Sequence, residues 1–229
     1  MHQLILIGRG MSSVAAIIYL IYYYSASTII LRTLKKLPYQ RVGSLRTHSF
    51  SKIEGKALNI ESPLNAPLSK RPCVFYKMKI EKKVKRGKSS HWKTLVYEEE
   101  IQDFFIEQNG ERVVVFPKKA PQNYHEYLIT DNTVRIGTFG TSSPEFIELL
   151  NAYNIESKGV FGFTKSFRYT EAIVEVGERI VVAGNIKGMD LENPIADYNY
   201  SSIASIMGSA KSKIIITDTP DAHKPKRKL

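Results

Sequence analysis

Residues 103–115 read DFFIEQNGERVVV. Two apolar, β-branched and aromatic runs stand on either side of Asn109-Gly110, the pair that accepts positive φ most readily and closes a two-residue hairpin. Pro117 stops the second run, because proline has no amide to give to a ladder. The chain around this hairpin repeats the same texture. From Val74 to Ile80, Tyr76, Met78 and Ile80 alternate with Lys77 and Lys79, the period-2 pattern of a half-buried strand. Lys93-Thr94-Leu95-Val96-Tyr97 returns as a partner, so KKVKRGKSSHW between them is the long tip of a second hairpin. KIEGKALNIES, from Lys52, is strand-like with a glycine break. Tyr169 to Val176 alternates again, Val176-Gly177-Glu178-Arg179 is a tight turn, and Ile180-Val181-Val182-Ala183 is a buried strand. Gly184 and Gly188 bracket one more turn, and Ile214-Ile215-Ile216 is a last strand.

One helix interrupts the strands. Ser143 is its N-cap and Pro144 its first turn, and Phe146, Leu149, Leu150 and Tyr153 share one face. Residues 62–72, SPLNAPLSKRP, hold three prolines and form an irregular loop, and residues 121–142 show no period. The sum is a mainly β (α+β) domain with seven or so short strands, for which a partly open barrel is the expected closure.

Outward from this domain the character changes. Residues 11–31, MSSVAAIIYLIYYYSASTIIL, carry no charge. As one helix they are about 31 Å long, the thickness of a hydrocarbon core. The expectation is one transmembrane helix, with Tyr22, Tyr23 and Tyr24 drawn towards an interface. Two other readings fit more loosely. One is a secretory signal cut after Ser25-Ala26-Ser27, against which the apolar run continues to Leu31; the other is a buried core helix. Residues 1–37 are therefore read as anchor and basic flank, 38–51 as a linker, 52–217 as the β-rich domain and 218–229 as a basic tail.

The net charge of +11 at first suggests nucleic acid. Its distribution does not. Arg9, Arg32, Lys35, Lys36, Arg41 and Arg46 lie in the first 46 residues, where no acid occurs. Lys224, Lys226, Arg227 and Lys228 lie in the last six, leaving +1 for the domain itself. Basic flanks beside an apolar span set orientation and meet anionic headgroups. The excess after the span places the domain in the cytoplasm.

Four segments, in order, resemble a known family. They are Ser62-Pro63-Leu64 leading to Pro72-Cys73-Val74-Phe75-Tyr76; the lone Trp92; Phe104-Phe105-Ile106 with Gly110 and Val113-Val114-Val115; and Arg168-Tyr169-Thr170-Glu171 leading to Val176-Gly177-Glu178 and Val181-Val182-Ala183-Gly184. After an N-terminal span this series is similar to the GIDE family and its BAM ("beside a membrane") domain, over roughly residues 53–217. The resemblance implies a membrane-tethered module related to membrane ubiquitin ligases. Those ligases add a second span and a RING, which needs about eight cysteine and histidine ligands. Here Cys73 is the only cysteine, His2, His48, His91, His125 and His223 are scattered, and no second span precedes Leu229. RING transfer is therefore not expected of this chain.

No catalytic, cofactor-binding or metal-binding residues are assigned. Cys73 reads as a small buried hydrophobe rather than a nucleophile. Glu98-Glu99-Glu100 and Asp103 read as a solvated turn rather than a metal site, and His91-Trp92 as a packed tryptophan capping one end of the barrel. Gly137 and Gly140 lack the strand-to-helix setting of a phosphate loop. The remaining surface candidate is Lys82, Lys83, Lys85, Arg86 and Lys88, at the hairpin tip, for lipid phosphates or an acidic partner. The expected function is a membrane-anchored, non-catalytic interaction module with an unidentified protein partner. The alternatives are a ligase scaffold whose catalytic part lies on another chain, and an oligonucleotide-binding barrel.

Overall fold

The computed structural model describes residues 17–136, 143–157, 165–190 and 202–223. Two N-terminal helices, α1 (Ile17–Tyr23) and α2 (Ala26–Lys36), lead into a β domain. Its strands are β1 (Phe50–Asn59), β2 (Leu64–Asn65), β3 (Pro72–Arg86), β4 (Ser89–Ile101), β5 (Phe104–Gln108), β6 (Glu111–Phe116), β7 (Tyr124–Tyr127), β8 (Asn132–Ile136), β9 (Phe167–Glu175), β10 (Arg179–Asp190), β11 (Ser202–Met207) and β12 (Ile214–Thr217). Helix α3 (Pro144–Ala152) lies between β8 and β9. The chain is mainly β, as its alternating patterns predict.

Five strands close a ring. β1 pairs β5, β5 pairs β6, β6 pairs β11, β11 pairs β10, and β10 returns to β1. The barrel is thus closed, where the sequence pattern suggests a partly open one. Closure removes the unpaired edges that an open sheet would present. β12 takes the stretch of β10 from Val181 to Ala183, and β7 lies parallel to β12. Ile53, Phe104, Ile106, Val113, Val115, Val182, Ile186 and Ile206 fill the interior.

The Asn109-Gly110 turn forms as its residues dictate, with φ of 56° and 87°. Gly184 and Gly188, in contrast, make no turn: both lie inside β10. A Cβ on Gly184 would stand 2.5 Å from the Ile206 side chain, so glycine there permits a close strand approach in the barrel core.

A second sheet joins β2, β3, β9 and β8, with β4 on β3. Val74, Phe75, Ala172 and Val174 pack into the barrel core, and Phe75 meets Tyr124 edge to face at 5.8 Å. The outer side of this sheet is covered by α3, capped as expected by Ser143, with Phe146, Leu149 and Leu150 buried against Met78, Ile80 and Tyr169. Residues 38–51, expected as a linker, are held to the barrel, and the last two, Phe50 and Ser51, belong to β1. Tyr39 bridges Lys52, Val42 is buried, and the Gln40 amide reaches Ser49 and Ser51. Two strands, β7 and β8, occupy the stretch without a legible period. The basic residues after His223 and glycines 137 and 140 lie outside the described residues.

Candidate functional site

The apolar run 11–31 is not one helix in its described part. Ser25 stands in extended conformation (φ −62°, ψ 145°) and caps α2, its hydroxyl accepting the Thr28 amide at 3.3 Å and donating to the Tyr22 carbonyl at 2.9 Å. The two helices bend by 54° there. Among the described residues no single helix is long and apolar enough to cross a membrane; α1 and α2 meet that test only as a pair. The Arg32 guanidinium lies 4.3 Å from the centre of the Tyr23 ring across the bend, a cation–π contact that steadies it.

The two helices differ in what covers them. Ile30 and Leu34 of α2 are buried on Val181, Ala183, Ile215 and Ala222, so α2 is part of the barrel's packing. Every residue of α1 is exposed: Ile18 61%, Tyr19 62%, Ile21 68% and Tyr22 68%. A contiguous exposed apolar and aromatic surface of this kind is uncommon on a folded domain.

Lys82, Lys83, Lys85 and Arg86 sit on β3 and Lys88 in a tight turn, rather than in a long tip. β3 and β4 run to a two-residue turn at Gly87-Lys88, with Gly87 at φ 61°. Lys82, Lys83, Lys85, Arg86 and Lys88 are all exposed or half-buried, and none makes an ion pair among the described residues. β9 pairs β3 only as far as Lys82, so the end of the hairpin stands beyond the sheet as a two-stranded arm. Lys93 lies directly opposite Lys82 and joins the group. Like charges facing across a ladder repel, and an anion between them would relieve that. The register arithmetic of a two-residue turn could have placed Lys93 there.

Trp92 does not cap the barrel. It lies half-buried on β4 of the arm, opposite Lys83, with the Arg168 guanidinium 4.7 Å from its ring. Arg168 Nε in turn donates at 2.6 Å to Glu81, which is buried, and Lys79 lies 3.3 Å from the same carboxylate. The Arg168 hydrogen bond holds the Glu81 carboxyl below its usual range despite its burial.

Glu98, Glu99 and Glu100 are on β4, not in a turn, and their alternation separates them. Glu98 accepts from the Tyr76 and Tyr153 hydroxyls, Glu99 from Tyr97 and Tyr124, and Glu100 pairs with Lys119 at 2.8 Å. Among the described residues no group of three acids, histidines or cysteines could hold a metal ion. Burial, with Glu171 beside it, pushes the Cys73 thiol up to about 12, which suits an inert packed side chain. Burial also raises the Asp103 carboxyl. Sequence reasoning missed one acidic group. Glu178 and Asp218 are drawn up by desolvation, to about 7 and about 6, with Asp218, Asp131 and Glu175 adding to the effect on Glu178 and Asp131 to that on Asp218.

Comparison of the chain with protein-family models, with curated proteins and with solved structures found no match.

Proposed function

We propose that the chain is a membrane-anchored, non-catalytic interaction module of the BAM type, in which α1 enters the bilayer and α2 stays outside it on the barrel. The observation that carries this reading is the uncovered apolar surface of α1. Tyr19, Tyr22, Tyr23 and Tyr24 cluster towards the bend, and Arg32, Lys35 and Lys36 come after it. Tyrosines at the interface with basic residues just beyond are the usual order of a span's cytoplasmic end. The stretch from Leu4 to Tyr24, with Arg9 as its one charge, supplies the length of a span without α2. An arginine near the far end reaches the opposite headgroups by its flexible stem. In this reading the arm with Lys82, Lys83, Lys85, Arg86, Lys88 and Lys93 is the surface offered to an acidic protein partner or to lipid phosphates. Support for oligonucleotide binding is thinner. That chemistry stacks bases on exposed aromatic rings, and Phe104, Phe105 and Tyr124 are buried.

The test is flotation of the full chain with liposomes. The wild type should float. Ile18→Asp combined with Ile21→Asp should reduce the floated fraction more than about a hundredfold, with the thermal unfolding midpoint unchanged. A wild type recovered from the soluble fraction, or a double variant that floats as well as the wild type, would overturn the reading.

A further inference from the structure

An open groove runs between α2 and the connection from β11 to β12. Ile29 and Thr33 form one wall, Phe50 and Ile215 lie within it, and Lys211 and Lys213 stand on the other side. The lysine-bearing connection is shaped by its own turn, in which Ser209 N donates to the Ser212 carbonyl at 2.9 Å and Ser212 N to the Ser209 hydroxyl at 3.1 Å. No carboxylate lines the groove. Neither lysine makes an ion pair among the described residues. Ile29 is 41% exposed although it belongs to a helix packed on the barrel, so an apolar strip is left open beside two cations. Ile29 is also only one helical turn past Ser25, about 6 Å along the axis from the bend.

We propose that this groove binds one anionic phospholipid, with Lys211 and Lys213 on its phosphate and an acyl chain along Ile29, Phe50 and Ile215. The proposal takes its source of lipid from the anchor reading, since a bend at Ser25 in the interface opens the groove at headgroup level. Two lysines alone would attract any anion in water. The apolar strip between them and α2 is what selects a lipid over free phosphate, because only a lipid fills both parts.

The test uses the full chain in mild detergent, titrated by calorimetry with dihexanoyl phosphatidylserine below its micelle-forming concentration. Parallel titrations use dihexanoyl phosphatidylcholine and inorganic phosphate. Phosphatidylserine should bind at one site, and the other two should bind far more weakly. Lys211→Ser with Lys213→Ser should weaken phosphatidylserine about thirtyfold. Replacing Lys70 by asparagine together with Arg135 by serine, two exposed basic residues that do not line the groove, should leave it unchanged. Equal binding of phosphate or phosphatidylcholine, wild-type affinity in the Lys211/Lys213 variant, or equal loss in the Lys70/Arg135 variant would each overturn the proposal. The probe needs no bilayer, so it reads the groove even if the full chain fails to float, and the two failures stay distinct.

Discussion

Helix α1 and the start of α2, as far as Leu31, come from one uncharged stretch of sequence, yet one helix is bare and the other is bedded on the barrel. The difference lies in the side chains on the two sides of Ser25. From Ala26 the apolar residues Ile30 and Leu34 recur at helical spacing while Arg32, Lys35 and Lys36 occupy other positions, so α2 has an inner face and an outer face. α1 has apolar or aromatic residues all round, and no single face to press on a barrel. Length and absence of charge define a candidate span, but the distribution of side chains around the axis decides whether a helix belongs to a core or to a bilayer.

The sharpest way to break this contrast is to shorten one leucine in each helix. Leu34 is 1% exposed among barrel residues and Leu20 is 51% exposed. Leu34→Ala leaves a cavity under α2 and should lower the unfolding free energy by about 2–4 kcal/mol in detergent. Leu20→Ala shortens a half-exposed side chain that belongs to no buried cluster and should change it by less than about 0.5 kcal/mol, as read by denaturant titration. Equal losses would mean that α1 is packed after all.

Protonation separates the two helices next. The β domain that carries α2 holds Glu178 in the turn before β10 and Asp218 at the end of β12, whereas α1 has only tyrosines to titrate. A carboxyl whose folded pKa is raised holds its proton longer folded than unfolded, so stability falls as pH rises from the unfolded value towards the folded one. For Glu178 that window runs from about 4.3 to about 7. Across it the wild type should lose on the order of 2 kcal/mol that Glu178→Gln does not lose. The glutamine carbonyl can still accept the Glu175 amide, which the glutamate now does at 2.8 Å. Measuring both proteins by denaturant titration at several pH values isolates the Glu178 contribution. Flotation, which reads α1, should not change over the same range.

Much of the β domain is legible in the sequence, and the reason is local. The Asn109-Gly110 hairpin and the Ser143-capped helix are specified by residues a few positions apart, and both form where their patterns put them. Barrel closure is not legible, because it depends on pairing β1 with β10, more than a hundred residues away. Gly184 misleads because its role is set by packing: a glycine that admits the Ile206 side chain from the neighbouring strand β11 looks, in sequence, like a turn. β7 is only four residues long and is covered on both faces, while β8 does alternate in burial but over only five residues, too few to stand out as a period. On β7 Tyr124 is buried in the barrel core, and Tyr127, on the opposite face, packs with α2 and Ile215. Of the candidate surface, the five basic residues are visible as a run, but Lys93 becomes their neighbour only through the hairpin register.

The bend itself gives the smallest effect and the most telling sign. In the capped structure, Ser25→Ala removes the acceptor for the Thr28 amide and should cost about 1 kcal/mol. Ser25→Asp keeps an acceptor at the N-cap, where a negative charge also suits the helix dipole, and should match or exceed the wild type. An uninterrupted helix running through Ser25 into lipid reverses both expectations. There alanine is the better helix former and stabilises, while an aspartate buried in hydrocarbon costs about 2.5–3.5 kcal/mol. Denaturant titration of the two variants therefore separates a bent pair from a straight span by the order of their stabilities: aspartate above alanine if α2 begins at Ser25, alanine above aspartate if the bilayer continues past it.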